Sequence, residues 1–222
     1  MKKLMVSGAL ALALSTSLIA EESGAFVGVD LGLSNAAMTQ EMGDLTNSTF
    51  TIGNFRYGLM GGYKWFFTES FGLRAYLQVN NGSNHGAKTV DFYTGLQNGR
   101  PSFSTLNVMA NVDALYNFYT SESSSAGLFA GLSFGYAIHY GGVVKEQVDS
   151  MDQAGISYSP SGFDMGINLG LRTIFAKHHG VEFFSRIGVM GASNSYTITM
   201  GADVKETILQ PYAFGMRYSY NF

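Results

Sequence analysis

The stretch "FRYGLMGGYKWFFTESFGLRAYLQV" runs from Phe55 to Val79. Its first half puts Phe55, Tyr57, Leu59, Gly61, Tyr63 and Trp65 on odd positions, against Arg56, Gly58, Met60, Gly62, Lys64 and Phe66 on even ones. After "FTES", Phe71, Leu73, Ala75, Leu77 and Val79 alternate with Gly72, Arg74, Tyr76 and Gln78. Successive side chains of a strand point to opposite faces, so each half presents one apolar and one mixed face. Apolar residues do not recur at intervals of three and four, which a helix requires. The stretch therefore predicts two strands joined by a tight turn.

The same period recurs in "AFVGVDLGL" from Ala25, "LNVMANVDALYNF" from Leu106, "LFAGLSFGYAIHY" from Leu128, "FDMGINLGLRTIF" from Phe163, "VEFFSRIGV" from Val181 and "PYAFGMRYSYNF" from Pro211. That makes eight candidate strands, each about the length a tilted strand needs to cross a bilayer. The connections alternate as well. "FTES", the region around "TSESSSAG" and "AKHHG" are short, whereas those after the first, third, fifth and seventh strands are long and polar. Long outer loops alternating with short periplasmic turns are the pattern of a transmembrane barrel. Structureless loops of that length are uncommon in a compact soluble domain.

Composition narrows the function classes. The 222 residues carry a net charge of −3 and no basic stripe, which argues against nucleic acid as a partner. Cysteine is absent, so disulfides, thiolate metal sites and cysteine nucleophiles are excluded. The opening "MKKLMVSGALALALSTSLIA" has the layout of a secretory signal peptide, with Lys2 and Lys3 ahead of a short apolar run. We expect residues 1–20 to be removed after Ala20, leaving 21–222 as one exported domain without an internal linker.

An alternating barrel can bury its apolar face or turn it outward to lipid. The polar face here is mostly glycine, serine and asparagine with isolated charges, where a solvated surface would carry many more Lys and Glu. The inward set is Asp30, Arg56, Lys64, Arg74, Asp113, Asp164, Arg172, Glu182, Arg186 and Arg217. An uncompensated charge in a narrow interior is costly, so the arginines are expected to form networks with Asp30, Asp113, Asp164 and Glu182. Aromatics gather near strand ends: Tyr63, Trp65, Phe71, Tyr116, Phe118, Phe175, Phe183, Tyr218, Tyr220 and Phe222. Rings with apolar bodies and polar tips suit the membrane–water boundary. The expected fold is an all-β, eight-stranded antiparallel up-and-down transmembrane β-barrel in the outer membrane, with both termini periplasmic.

In "ESGAFVGVDLGLS", "YGLMGGYKWFF" followed by "FGLRAYLQ", "NVMANVDALYNF" and the closing "AFGMRYSYNF", the chain resembles the Helicobacter outer membrane protein family, which includes adhesins and porin-like proteins. The order and spacing of these pieces carry the likeness across nearly all of residues 21–222. The resemblance implies a Gram-negative outer-membrane barrel whose final aromatic strand is read by the barrel assembly machinery. It transfers no catalytic residue.

Chemistry beyond this is sparse. Ser133 and His139 share a face but lie about 20 Å apart along one strand, too far for a dyad. His178 and His179 adjoin one another without a third metal ligand at useful spacing, and His85 sits in a loop. No catalytic residue, cofactor or metal is expected. The expected partners are outer-membrane lipid and lipopolysaccharide, the assembly machinery, and a host surface molecule met through the loops. The expected role is non-enzymatic: surface structure or adhesin-like contact. A narrow porin-like channel with a slightly cationic lumen is the alternative, and a lipid-modifying enzyme stands third. An eight-stranded barrel has an interior just wide enough for its own side chains, which favours a packed plug over a pore.

Overall fold

The computed structural model describes residues 21–42, 47–83, 103–197, 201 and 203–222. The expected signal peptide and His85 lie outside these residues. Among the described residues there are ten strands: β1 (Gly24–Met42), β2 (Asn47–Phe66), β3 (Phe71–Ser83), β4 (Ser104–Thr120), β5 (Ser125–Tyr140), β6 (Gly162–Phe175), β7 (His179–Met190), β8 (Ala192–Thr197), β9 (Asp203–Leu209) and β10 (Tyr212–Asn221). A helix, α1 (Gly142–Gln153), follows β5.

Eight of the strands close a barrel. Each of β1 to β6 pairs antiparallel with the next, β7 pairs with β10, and β10 returns to β1 through Val27↔Tyr220, Val29↔Tyr218 and Asp30↔Arg217. Closure removes the edges that an open sheet would leave unpaired. The remaining pair, β8 and β9, stands above β7 and β10, with β9 paired to the far end of β1 from Ala37↔Leu209 to Met42↔Val204.

The short turns after β2, β4 and β6 share one end of the barrel with the first and last described residues. Thr68 Oγ1 caps the first, accepting from the Phe71 amide at 3.0 Å. Ala176 and Lys177 both take positive φ in the third, the conformation of a tight hairpin turn whose twist matches its strands.

In the lower barrel the outward face is apolar. Leu59 and Leu77 are 66% and 65% exposed, and Val27, Val29, Leu31 and Leu33 line the outside of β1. The inward face is tight. A Cβ on Gly62 would come within 2.1 Å of the Ala75 carbonyl oxygen and 2.5 Å of Tyr76 Cβ. Glycine there lets the Tyr76 ring enter the lumen from the neighbouring strand.

The strands run further than the apolar periodicity suggests. Residues 34–42 and 47–54, read from sequence as a polar loop, continue β1 and β2 without a break in register. The connection after β7 folds as the β8–β9 hairpin, and the one after β5 holds α1. Above Leu33 and Phe55 the preference reverses. Even positions still point inward, yet they now carry Ala36, Met38 and Ile52, which pack with Phe103, Val144 and Ile208 into a buried apolar cluster. The same strands thus enclose ions in the lower barrel and an ordinary hydrophobic core above it.

Candidate functional site

The lumen is bridged at three levels. At the middle, Arg74 on β3 donates through Nε to Asp113 Oδ2 at 2.9 Å. Its guanidinium then crosses to Glu182 on β7, four places around the ring, with Nη2 at 3.0 Å from Oε2 and Nη1 on Oε1. Arg217 Nη1 lies 3.7 Å from Glu182 Oε2 and donates to the Tyr76 hydroxyl at 3.3 Å. Arg56 Nε stands 3.4 Å from Asp30 Oδ1, whose second oxygen accepts from Gln78 at 3.0 Å. Arg186 pairs with Asp164 and donates to Ser133 Oγ at 2.8 Å. Aromatic faces fill the gaps: Arg74 Cζ is 4.5 Å from the Phe129 centroid and Arg217 Cζ 4.3 Å from that of Phe184. Desolvated guanidinium groups gain cation–π attraction from such contacts.

The short-turn end is bridged by Glu21, three residues ahead of β1. Its carboxylate receives Lys64 Nζ at 2.7 Å, Ser125 Oγ at 3.1 Å, Asn117 Nδ2 at 3.4 Å and the Arg172 guanidinium. At the opposite end, Gln210 between β9 and β10 exchanges amide hydrogen bonds with Asn107 on β4, the stronger at 3.1 Å. Above that bar, α1 lies over the mouth with Val144 in the apolar cluster. Glu206 on β9 holds the assembly from the wall, accepting Gln40 and Gln147 at 2.7 Å each and the Tyr158 hydroxyl. Burial and the Glu206 carboxylate push the Tyr158 phenol well above its ordinary value.

All ten charged residues expected in the lumen are buried. Arg172 departs from the expected pairing, because its carboxylate partner is Glu21 and not one of the four in the wall. The ten rim aromatics all point outward, and several meet in pairs: Tyr63 and Trp65 at 4.9 Å, Phe71 and Tyr116 at 5.0 Å, Tyr220 and Phe222 at 5.3 Å between centroids. Ser133 and His139 are not brought together. Ser133 bonds the Gly166 carbonyl at 3.2 Å, whereas His139 Nδ1 meets Thr105 Oγ1 at 2.8 Å. His178 and His179 stack on Tyr220 and Phe175 respectively, and no group of three metal-ligating side chains occurs among the described residues.

Sequence reasoning missed Glu21, Gln210 and Glu206. A signal existed for the first. The wall offers six cations against four carboxylates, and Glu21 is one of the acids outside the strands at the short-turn end. Nothing in the local pattern marks Gln210 or Glu206, which lie where a loop was expected.

OprG of Pseudomonas aeruginosa superimposes with a TM-score of 0.52 at 12% identity, over 92% of this chain and 99% of that one. Outer membrane protein W of E. coli gives 0.45 at 16%, over 91% and 99% of the two chains. At such identities OprG speaks for the fold alone. No curated protein sequence is significantly similar to the chain. Residues 58–222 match the family described as Helicobacter outer membrane protein. With the greater part of its length so matched, the chain belongs to the Helicobacter outer membrane protein family and is a β-barrel protein of the outer membrane.

Proposed function

We propose that the protein is a non-conducting barrel whose task is at the surface: its short turns and termini face the periplasm, and α1 with the β1–β2 and β8–β9 walls faces outward for contact with surface molecules. The observation that carries this reading is the Arg74–Glu182 bridge, which joins opposite walls of the lumen with Glu21 below and Gln210–Asn107 above. Three cross-ties in an interior of side-chain width support a closed lumen over an ion path. The outward face of the upper wall supports a contact role, since Thr51, Ser193, Ser195 and Lys205 present hydroxyls and charge where the lower wall presents leucine and phenylalanine. The separate wall contacts of Ser133 and His139 support a non-enzymatic role over a Ser–His hydrolase. We further propose that β10, ending on the 70% exposed Phe222, is the segment taken up by the assembly machinery.

Planar-bilayer recording tests the first part. Purified protein is expected to insert without giving a steady current, and a stable ohmic conductance would replace this reading with the porin-like one. Adhesion is tested with intact cells: replacing residues 193–197 and 203–207 by a short turn should lower binding to host cells while leaving the barrel folded.

A further inference from the structure

Glu21 does not belong to the barrel wall, yet the wall is built around it. Lys64 comes from β2, Asn117 from β4, Ser125 from β5 and Arg172 from β6, and all four are buried. Each oxygen of the carboxylate takes two of these groups: Lys64 and Arg172 meet Oε1, while Asn117 and Ser125 meet Oε2. A second bond, from Arg172 Nη1 to Asn117 Oδ1 at 3.0 Å, holds two of the donors in mutual register. Glu22 and Ser23, which link the carboxylate to β1, are exposed.

Among the described residues, no other carboxylate forms an ion pair with Lys64 or Arg172. Glu182 is the register neighbour of Arg172, but both of its oxygens are engaged by Arg74. Without Glu21, two buried cations would face each other across a pocket shaped for a planar, two-oxygen anion. Leaving such charges unpaired is strongly unfavourable, and a charge-assisted acceptor relieves it.

We propose that Lys64, Asn117, Ser125 and Arg172 form a carboxylate-binding site at the short-turn end of the lumen, which Glu21 fills in cis and which a free carboxylate enters when Glu21 is absent. The tether makes the tail an internal ligand. A small acid and the acidic side chain of a peptide present the same group, and the two differ in whether the narrow mouth admits them.

The test uses the full-length barrel in detergent, with urea unfolding followed by the fluorescence of the single tryptophan, Trp65. Glu21→Ala is expected to lower the unfolding midpoint. Sodium acetate should restore most of that loss with a saturable dependence, where sodium chloride of equal ionic strength does not. A short aspartate-terminated peptide in the same assay separates the two sources: recovery with acetate alone restricts the site to small acids, and recovery with both extends it to peptides. Wild type should respond equally to both salts, and Glu21→Ala combined with Lys64→Met should lose the acetate response. Should Glu21→Ala fold poorly, its refolding yield in acetate against chloride supplies the same contrast. Equal effects of acetate and chloride on Glu21→Ala, by midpoint or by yield, overturn the proposal.

Discussion

Arg74 shows what a single residue carries in this fold. It is 2% exposed, it neutralises Asp113 beside it and Glu182 across the lumen, and it lies against the Phe129 ring. Removing one partner of a buried ion network leaves charge uncompensated, which costs about 3–5 kcal/mol. Arg74→Met is therefore expected to lower stability by about that amount in urea unfolding. Arg74→Lys should recover only part of it, because a point-charge ammonium cannot reproduce the forked contact with two carboxylates. Glu21 gives a second residue-scale prediction, with a sign set by its surroundings. Burial alone raises this carboxyl, but Arg172 and Lys64 outweigh it and hold the group at about 2, below its ordinary 4.5. A carboxyl lowered by folding contributes stability that is complete above its unfolded value and is lost as pH falls through its folded one. The stability advantage of wild type over Glu21→Gln should accordingly be full above pH 4.5 and shrink towards pH 2, as read from unfolding midpoints across that range. The wall charges were legible because strand parity assigns each to a face. Glu21 was not, because a residue outside the strands has no parity to read.

Elements tell a different story in the lower and upper barrel. Eight strands were readable where lipid favours apolar residues at outward positions, since that preference writes a period of two. Above the apolar belt the backbone period continues, but the apolar residues change phase. On β1 they move from odd positions 27, 29, 31 and 33 to even positions 36 and 38, and on β2 from Phe55, Tyr57 and Leu59 to Ile52. A reader following one phase sees the pattern dissolve into a loop; a reader looking for a phase change would have extended both strands. Helix α1 was hidden for another reason. Its sequence "GVVKEQVDSMDQ" buries Val144 as its one fully enclosed side chain, so it lacks the apolar stripe by which amphipathic helices are recognised. It is held by that contact and by Gln147 on Glu206, not by intrinsic propensity. Val144→Asp should then release the helix while the barrel below stays closed. The expected result is faster tryptic cleavage after Lys145 in detergent-solubilised protein, with no change in the heat-modifiable gel mobility that reports barrel closure. Loss of the compact gel form along with faster cleavage would show instead that the lid and barrel fold as one cooperative unit.

At the scale of the whole molecule, one continuous wall carries two opposite side-chain patterns, as a wall crossing two solvents must. A strand cannot rotate its side chains to follow the change, because parity is fixed by the backbone. The sequence must invert its pattern instead, and it does so between Leu33 and Ala36 on β1 and between Ile52 and Phe55 on β2. These two points are adjacent in the sheet, where Leu33 pairs with Phe55 and Ala36 with Ile52, so they mark a single level around that part of the barrel. The level is the upper membrane boundary if the outward apolar belt contacts lipid. Absence of cysteine allows a direct test with single-cysteine variants on an unreactive background. Thr51 and Leu59 both point outward on β2, about 26 Å apart along the strand at about 3.3 Å per residue. In protein reconstituted into vesicles, Thr51→Cys should react rapidly with a membrane-impermeant maleimide, while Leu59→Cys should be protected although the isolated barrel exposes its side chain. Phe55→Cys should react at an intermediate rate, since it stands at the level where the pattern turns over. Comparable rates at positions 51 and 59 would mean that water reaches the apolar belt, and a soluble barrel wearing leucine on its surface would have to be explained in its place.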